Sequence, residues 1–278
     1  MKRIASIGDN CMDIYVNATR RVYVGGNGVN LAVAVRRSGV GCSYVGMAGD
    51  DGNGRRVARF LAEEGVDVSH LRIVPGETGW AKIMLDGDEW VPMGDELGVQ
   101  RQFELGEDDY GFVGGHDFAH YTAFTNWLSS YEGGFRDYEK MVGMQLERLA
   151  AARVRLSIDY SDREAPGILE LSRDKVEVAF FSRSGMEDGE ISREASRLLD
   201  YGFRLVVLTR GARGSCAYDG DSCIFQEIAP TTLVDPLGAG DAFMGAFLSR
   251  YVYGEPVKNC LGYAAEYSAQ VCGRYGGQ

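Results

Sequence analysis

Residues 176–209 read VEVAFFSRSGMEDGEISREASRLLDYGFRLVVLT, and this stretch decides the fold class. Two short runs rich in β-branched and aromatic residues, 176–181 and 204–209, predict strands that are covered on both faces. Between them, residues 186–202 follow a helical pattern that ends at a glycine. A strand, a helix and a second strand in this order are typical of a parallel sheet with helices packed on it.

The same alternation of strand and helix runs along the rest of the chain. Further strand-like runs occur at 3–7, 43–48 and 154–160, and helical patterns occur at 27–39, 53–65, 240–252 and 256–272. In the first helix we expect Asn27 to be the N-cap and Gly39 to follow the last turn. The alternation predicts an α/β fold: a doubly wound, mostly parallel sheet with helices on both faces, built as one domain from residues 1–278.

Two segments, 10–24 and 78–99, do not follow this alternation. Their Tyr, Val and Trp residues are spaced as in extended hairpins inserted between the strand–helix units. We expect them to form a small second sheet that serves as a lid or as a subunit interface. In a doubly wound fold, ligands bind at the carboxyl ends of the strands, where the strand order reverses.

Composition argues against several classes of function. The 278 residues carry a net charge of −11, which argues against a nucleic-acid-binding surface. No run approaches the roughly 20 apolar residues of a membrane-spanning helix, and the N-terminus reads as a strand rather than a signal peptide. The six cysteines are scattered without a C-x-x-C pair, as expected of reduced thiols in a cytosolic protein.

A glycine-spaced turn stands before the helix at 240–252. Residues 234–243 read VDPLGAGDAF, so Gly238, Gly240 and Asp241 lie where a helix begins. The unpaired N–H groups and partial positive charge of a helix N-terminus attract anions, and glycines let a phosphate approach them. Asp241 has two interpretations: a helix cap, or a general base that accepts a hydroxyl proton during attack on phosphorus.

A second glycine-rich stretch opens the first long helix. Gly25 and Gly26 allow close approach of a ligand to the backbone, and the amide of Asn30 can both donate to and accept from a polyol. Upstream, Asp9 and Asp13 follow the first strand, where carboxylates suit pairs of sugar hydroxyls. Taken singly, a helix cap and solvated loop acids are the simpler explanation of this stretch.

A third turn, TRGARGS, directly follows the strand at 204–209. Thr209, Gly211 and Gly214 form a T-x-G-x-x-G spacing that can present backbone to a nucleotide, although a hairpin turn is the commoner explanation. No G-x-x-x-x-G-K-[ST] occurs, and three G-x-G stretches lack the third glycine of the dinucleotide fingerprint. A P-loop protein is therefore excluded, and a dinucleotide oxidoreductase is weakly supported.

Taken together and in this order, the three stretches resemble the ribokinase/phosphofructokinase-B family of carbohydrate kinases. GGNGVNLA at 25–32 is similar to its G-G-x-x-x-N-x-A signature, and DPLGAGDAF at 235–243 to its D-T-x-G-A-G-D-x-F signature. TRGARGS is similar to the family's nucleotide turn, and VGMAGDDGNG at 45–54 to a further family element. The resemblance covers nearly the whole chain.

The resemblance implies a role for each of these residues. Asp241 would be the catalytic base, and the amides of Gly238, Ala239 and Gly240 would form the anion hole for the transferring phosphoryl group. The sugar would be held by Asp9, Asp13, Gly25, Gly26 and Asn30, and the ATP site would be formed by Thr209, Gly211, Gly214 and Asp235. The resemblance also implies ATP and Mg²⁺ as cofactors, with a monovalent cation as an option, and a cytoplasmic homodimer formed through the lid.

Two positions depart from the family pattern. Pro236 stands where the C-terminal signature usually has threonine or serine, and proline supplies no backbone N–H. The N-x-x-E element that organises Mg²⁺ through water in the family has no counterpart in FFSRSGMEDGE at 180–190. Ser182, Glu187 and Asp188 are the candidates to replace it as metal contacts.

Several stretches, among them SIGDNCMDIY, GDELGV and DYSD, are most similar to family members that phosphorylate the 6-hydroxyl of fructosamines such as fructoselysine. A fructosamine carries a secondary ammonium, and Asp95, Glu96 or Asp162 could pair with it. Two alternatives stay open. Another sugar or nucleoside kinase of the family would share the catalytic residues, whereas a non-catalytic sugar-binding relative could have lost the base.

Overall fold

The structure is a computed structural model that describes residues 1–19, 21–122, 134–162 and 166–278. The strands are β1 (Arg3–Ile7), β2 (Cys11–Tyr15), β3 (Val22–Gly25), β4 (Gly41–Gly49), β5 (Asp67–Val74), β6 (Thr78–Asp86), β7 (Glu89–Gly98), β8 (Phe118–Thr122), β9 (Arg155–Asp159), β10 (Val178–Ser182), β11 (Leu205–Thr209), β12 (Ser215–Tyr218) and β13 (Cys223–Gln226). The helices are α1 (Asn27–Arg37), α2 (Gly52–Glu63), α3 (Glu107–Gly114), α4 (Gly134–Ala151), α5 (Pro166–Leu171), α6 (Asp188–Leu199), α7 (Ala239–Tyr251) and α8 (Val257–Cys272). Within the described ranges, each helix is too short or too polar to cross a bilayer.

One large sheet contains nine strands in the order β13-β12-β11-β10-β9-β8-β1-β4-β5. Neighbours from β11 to β5 pair in parallel, while β11–β12 and β12–β13 are antiparallel. The chain starts in the middle at β1, fills one side with β4 and β5, and then fills the other side from β8 onward. The strand order therefore reverses between β1 and β8, which places the expected ligand site at their carboxyl ends.

Helices cover both faces of this sheet. In β1, Ile4 belongs to one buried cluster, and Ala5 and Ile7 belong to another. The cluster around Ile4 includes residues of α1, α2, α7 and α8, whereas the cluster around Ile7 includes residues of α3, α4, α5 and α6. The doubly wound α/β architecture predicted from the sequence is confirmed.

The two segments that depart from the strand–helix alternation form a second, smaller sheet with the order β3-β2-β6-β7. Strands β2 and β6 pair in parallel, with Met12 opposite Trp80, while β2–β3 and β6–β7 are antiparallel. Segments 10–24 and 78–99 therefore combine into one small sheet, as expected. Because β2 follows β1 after a short loop, this sheet is anchored beside the switch point.

The segment boundaries predicted from the sequence fall within three residues of the observed ones. The expectation that Asn27 caps α1 is wrong, because the N-cap is Gly26, with φ 103°, and Asn27 is the first helical residue. A Cβ at position 26 would lie 2.6 Å from Cα of Asn10, so only glycine fits where the chain passes this loop. Gly39, with φ 84°, follows the end of α1 as expected.

Helices α1 and α7 approach each other closely on one face of the sheet. A Cβ on Gly245 of α7 would lie 2.7 Å from Cβ of Ala34 and 2.8 Å from the backbone oxygen of Leu31. The missing side chain thus lets the two backbones come together. As a result the first turns of both helices meet, and Asn30 forms a hydrogen bond of 2.9 Å with Asp241, 211 residues away.

Gly245→Ala is expected to lower the free energy of unfolding by about 1–3 kcal/mol, because the added methyl group overpacks the contact between α1 and α7. Gly111→Ala in α3 is the matched control, since no atom of the described residues lies within 4 Å of its missing Cβ. There alanine should stabilise the protein by about 0.5–1 kcal/mol. Urea unfolding measures both changes, and an unchanged stability in Gly245→Ala would contradict the close packing.

Candidate active site

Asp241 lies in the first turn of α7, and its side chain is buried. The helix begins at Ala239, and its N-cap is Gly238, which adopts a left-handed conformation with φ 72°. The Asp241 carboxylate accepts a hydrogen bond from Nδ2 of Asn30. Because the N-cap is a glycine and the carboxylate is directed toward α1, the interpretation of Asp241 as the helix cap is wrong.

The turn before Asp241 leaves room for an anion on one side. Apart from its chain neighbours and the backbone of its own helix, no described residue has an atom within 4 Å of the position that a Cβ would occupy on Gly240. On the other side, a Cβ on Gly238 would lie 2.4 Å from Cα of Gly277, so these two residues are in contact. The N–H of Ala239 donates to the carbonyl of Pro236 at 3.2 Å. Gly240 is therefore the expected anion-hole residue that faces open space.

The residues expected to hold a sugar gather beside this turn. Oδ1 of Asp9 accepts from the N–H of Gly28 at 3.1 Å, so Asp9 supplies a cap to the start of α1 from the loop after β1. Asp13 packs against Gly25, where a Cβ would lie 1.9 Å from its Oδ2. Asp9 and Asp13 are 5% and 4% exposed, which rules out the interpretation as solvated loop acids.

The buried carboxylates of the site repel one another. Burial raises the pKa of Asp241 well above its usual value, the hydrogen bond from Asn30 lowers it, and the charges of Asp159, Asp9 and Asp13 raise it further. Burial likewise raises the pKa of Asp13 to about 7 and that of Asp159 to about 6. Carboxyl groups this close cannot all be ionised without a cost, so the site favours positive charge or protons.

Asp159 received no role from the sequence, although it ends β9 and is buried at the carboxyl edge of the sheet. Its Oδ1 accepts from the N–H of Ser161 at 2.8 Å. Its electrostatic effect on Asp241 shows that the two carboxyl groups share one site. Its position at the end of a predicted strand is the feature of the sequence that indicates a place in the site, because the carboxyl ends of neighbouring parallel strands meet at the same edge of the sheet.

Asp235 is fully buried at the start of the loop that leads to α7. Its carboxylate accepts from the hydroxyl of Tyr15, from the N–H of Gly276 at 3.0 Å and from the N–H of Leu237 at 3.0 Å. The last bond closes an Asx turn and accounts for Pro236, because the donor is supplied one residue beyond the proline. The expected contact of Asp235 with ATP stays a prediction.

The expected nucleotide turn joins β11 to β12, so it is also a hairpin turn. Thr209 ends β11, and Gly211 and Gly214 both have positive φ. A Cβ on Gly214 would lie 2.0 Å from the backbone oxygen of Gln226, which requires glycine there. A cavity of about 760 Å³, a volume typical of small-molecule sites, adjoins the turn. Its lining residues are Asp188, Arg210, Ala212, Arg213, Phe225, Gln226, Glu227 and Ile228.

Two arginines of this turn donate hydrogen bonds to Asp188 and Glu187, two of the residues considered as metal contacts. Arg210 is buried, with its guanidinium 5.2 Å from the centre of the Phe225 ring, and it donates to Asp188 at 2.5 Å. Arg213 donates to Glu187 at 2.6 Å. Among the described residues, no three His, Cys, Asp or Glu side chains are grouped so that they could hold a metal ion.

The three acids considered for an ammonium group have different surroundings. Asp95 is exposed on β7, and Glu96 accepts from Arg101 at 2.8 Å. Asp162 is exposed, and its charge raises the pKa of Asp159. Asp162 is therefore the one of the three that acts electrostatically on the group of buried carboxylates.

The sheet is doubly wound, a helix N-terminus lies at its switch point, and a buried carboxylate lies beside an open glycine turn. This arrangement is the one expected of a phosphotransfer site. The pfkB family of carbohydrate kinases matches the chain over residues 1–94 and 151–278. The protein belongs to that family and is a carbohydrate kinase with a ribokinase-like fold.

Two relatives are similar over most of their length. The fructosamine kinase FrlD of Bacillus subtilis is 32% identical over 99% of this chain and 92% of its own. The fructoselysine 6-kinase of Escherichia coli is 31% identical over 89% of this chain and 88% of its own. The solved structure of Arabidopsis thaliana ribokinase complexed with ribose and ATP shares the fold with a TM-score of 0.79 at 21% identity, covering 99% of this chain and 93% of that chain.

Tyr15→Phe is expected to lower the free energy of unfolding by about 1–3 kcal/mol, because it leaves the buried Asp235 carboxylate without one of its donors. Tyr253→Phe, at a position 51% exposed, is the matched control and should change stability by less than about 0.5 kcal/mol. Urea unfolding at neutral pH compares the two. Equal effects of the two substitutions would show that the Tyr15 hydroxyl contributes nothing specific.

Proposed function

We propose that this kinase transfers the γ-phosphate of ATP to a primary hydroxyl of a sugar in the cytoplasm, and that its acceptor is the 6-hydroxyl of fructoselysine or a related fructosamine. The observation that carries the proposal is the buried Asp241 carboxylate, hydrogen-bonded to Asn30 beside the open turn at Gly240. Two relatives that match most of the chain, a fructosamine kinase and a fructoselysine 6-kinase, support the choice of acceptor.

In this mechanism Asp241 accepts the proton of the attacking hydroxyl. A base must be ionised before it can accept a proton, so its pKa has to stay near or below the working pH. Burial and the neighbouring carboxylates work against ionisation, and the Nδ2–H of Asn30 favours it. Asn30 would thus tune the base as well as contact the sugar, with Asp9 and Asp13 binding further hydroxyls.

The first turn of α7 would stabilise the charge of the transferring phosphoryl group. Unpaired N–H groups and the partial positive charge of the helix N-terminus favour an anion at this position. Gly240 leaves the approach unobstructed. Preorganised donors of this kind need no rearrangement during the reaction, which is why they lower the barrier effectively.

ATP would lie along the turn with Thr209, Gly211 and Gly214, with its base or ribose in the cavity beside Arg210. Mg²⁺ commonly binds through one or two carboxylates together with water and substrate phosphates, so it needs no protein cage. In this chain it would enter with ATP and neutralise the phosphate charge. A monovalent cation is assigned no step in this mechanism.

A fructosamine suits the charge of the site. Its secondary ammonium would relieve the repulsion among the buried carboxylates, which a neutral hexose cannot do. Asp162, exposed beside Asp159, is the acid that we assign to the amino-acid part of the substrate. The small sheet would close over the sugar. Its exposed Val16, Trp90 and Met93 support a role for the same sheet in a homodimer interface.

The proposed acceptor is tested by measuring ADP release with a panel of fructoselysine, other fructosamines, fructose, ribose and nucleosides. We expect the highest kcat/KM with fructoselysine, and mass spectrometry should place the new phosphate on the 6-hydroxyl. A higher kcat/KM with a hexose or a nucleoside would replace the proposed acceptor and leave the kinase assignment intact. Binding of sugars without any phosphorylated product would favour the non-catalytic alternative.

Asp241→Asn should lower kcat by about 10²–10⁴-fold, because asparagine keeps the shape of the side chain but cannot take up the proton. ATP affinity, measured by calorimetry, should stay close to that of the unchanged protein. Asp200→Asn, the same change at the exposed C-terminal end of α6, is the control and should leave kcat unaltered. Turnover within tenfold of the unchanged protein would remove Asp241 as the base.

A further inference from the structure

We propose that Gln278 is a positioning residue that fixes the orientation of the Asn30 amide toward Asp241. The inference rests on the proposed function for its kinetic readout only. Gln278 belongs to the 274–278 segment, RYGGQ, which the sequence analysis did not connect with the site. Its Nε2 lies 2.7 Å from Oδ1 of Asn30, 248 residues away in the chain.

The contacts form a continuous chain of hydrogen bonds. Nε2 of Gln278 donates to the backbone oxygen of Val24 at 2.5 Å and to Oδ1 of Asn30 at 2.7 Å. Nδ2 of Asn30 then donates to Oδ2 of Asp241 at 2.9 Å. A backbone carbonyl at one end and a carboxylate at the other are thereby connected through two side-chain amides.

The direction of donation along this series of hydrogen bonds is determined by the groups at its two ends. The carbonyl of Val24 can only accept, so Gln278 must present its NH₂ group there, and the same NH₂ group reaches Asn30. Asn30 must then turn its oxygen toward Gln278 and its NH₂ group toward the Asp241 carboxylate. The reverse orientation of either amide would bring two acceptors together, which makes the arrangement the one orientation that satisfies every contact.

The backbone of the 274–278 segment is held so that Gln278 can reach the site. The N–H of Gly276 donates to the buried carboxylate of Asp235 at 3.0 Å. Gly277 packs on the α7 turn at Gly238, and a Cβ on Gly277 would lie 2.8 Å from Nδ2 of Asn30. Two glycines in succession therefore allow the segment to pass between the α7 turn and the Asn30 amide.

The orientation of Asn30 matters because several groups oppose ionisation of Asp241. Asp9 faces it from the β1–β2 connection, Asp13 from β2, and Asp159 from the end of β9. Cys11, whose thiol pKa is raised by burial and by these carboxylates, lies on the same side. The donor from Asn30 opposes all of them, so a misdirected amide would raise the pKa of Asp241 and reduce the fraction of active base.

Two variants of Gln278 distinguish the effect of its N–H donors from the effect of its side-chain shape. Gln278→Met keeps the length of the side chain and removes both N–H donors. Gln278→Glu keeps the shape but places acceptors against Val24 and Asn30 and adds a negative charge. Gln270→Met, the same change at an exposed position of α8, is the matched control. Circular dichroism is used to check that all three variants fold.

The first readout needs no substrate. The carboxyl carbon of Asp241 is titrated by ¹³C NMR in the protein without ligands, and its pKa should rise by roughly half a unit or more in Gln278→Met and further in Gln278→Glu. The control should match the unchanged protein. An unchanged titration of Asp241 in both Gln278 variants overturns the inference whether or not the enzyme accepts fructosamines.

The second readout is the pH dependence of kcat/KM for the best acceptor found in the panel. Because the base acts when ionised, activity is lost as pH falls through its pKa, and this acid limb should move to higher pH in both variants. At low pH, a rise of half a unit in this pKa corresponds to a loss of about threefold and a rise of one unit to a loss of about tenfold. An unmoved acid limb overturns the inference, whereas absence of turnover in the unchanged protein would count against the proposed function alone.

A double-substitution test identifies the route of the effect. If Gln278 acts through Asn30, then Gln278→Met should cause no further loss in a protein that already carries Asn30→Ala. Losses that simply multiply would show that Gln278 affects the site independently of Asn30 and would overturn the proposed relay.

Discussion

The close contact between α1 and α7 is the constraint on which the site depends. Gly245 lets the two helix backbones meet, and the meeting of their first turns places Asn30 against Asp241. One turn belongs to the motif proposed to bind the sugar and the other to the motif proposed to bind the phosphoryl group, and the two motifs are separated by most of the chain. The two sequence signatures therefore form one site because Gly245 carries no side chain at the point where the two helix backbones meet.

Burial of several carboxylates at the switch point has to be offset by specific donors. Asp9 receives the N–H of Gly28, and Asp235 receives three donors from three parts of the chain. Asp241 receives Nδ2–H of Asn30 while Asp159 and Asp13 raise its pKa. An arrangement of this kind becomes more favourable when a cation enters the site, so relief of repulsion would contribute to the binding free energy of a cationic substrate.

The sequence predicts the layers, the order of strand and helix and the three turns, because periodicity and glycine spacing are local properties. It cannot predict which distant residues complete those turns. Tyr15 with Asp235 and Asn30 with Gln278 are 220 and 248 residues apart, and no local pattern links them. The N-cap of α1 differs from the predicted Asn27 for the same reason. Glycine is required at position 26 by the neighbouring loop at Asn10 rather than by the helix itself.

Asp235 connects three parts of the site through hydrogen bonds. Its donors come from β2 of the small sheet through Tyr15, from the 274–278 segment through Gly276, and from the α7 loop through Leu237. A displacement of the small sheet therefore changes the support of the loop that presents Asp241 and of the segment that holds Asn30. If the small sheet closes over a sugar as proposed, its closing and the alignment of Asp241 would be coupled through this one buried carboxylate.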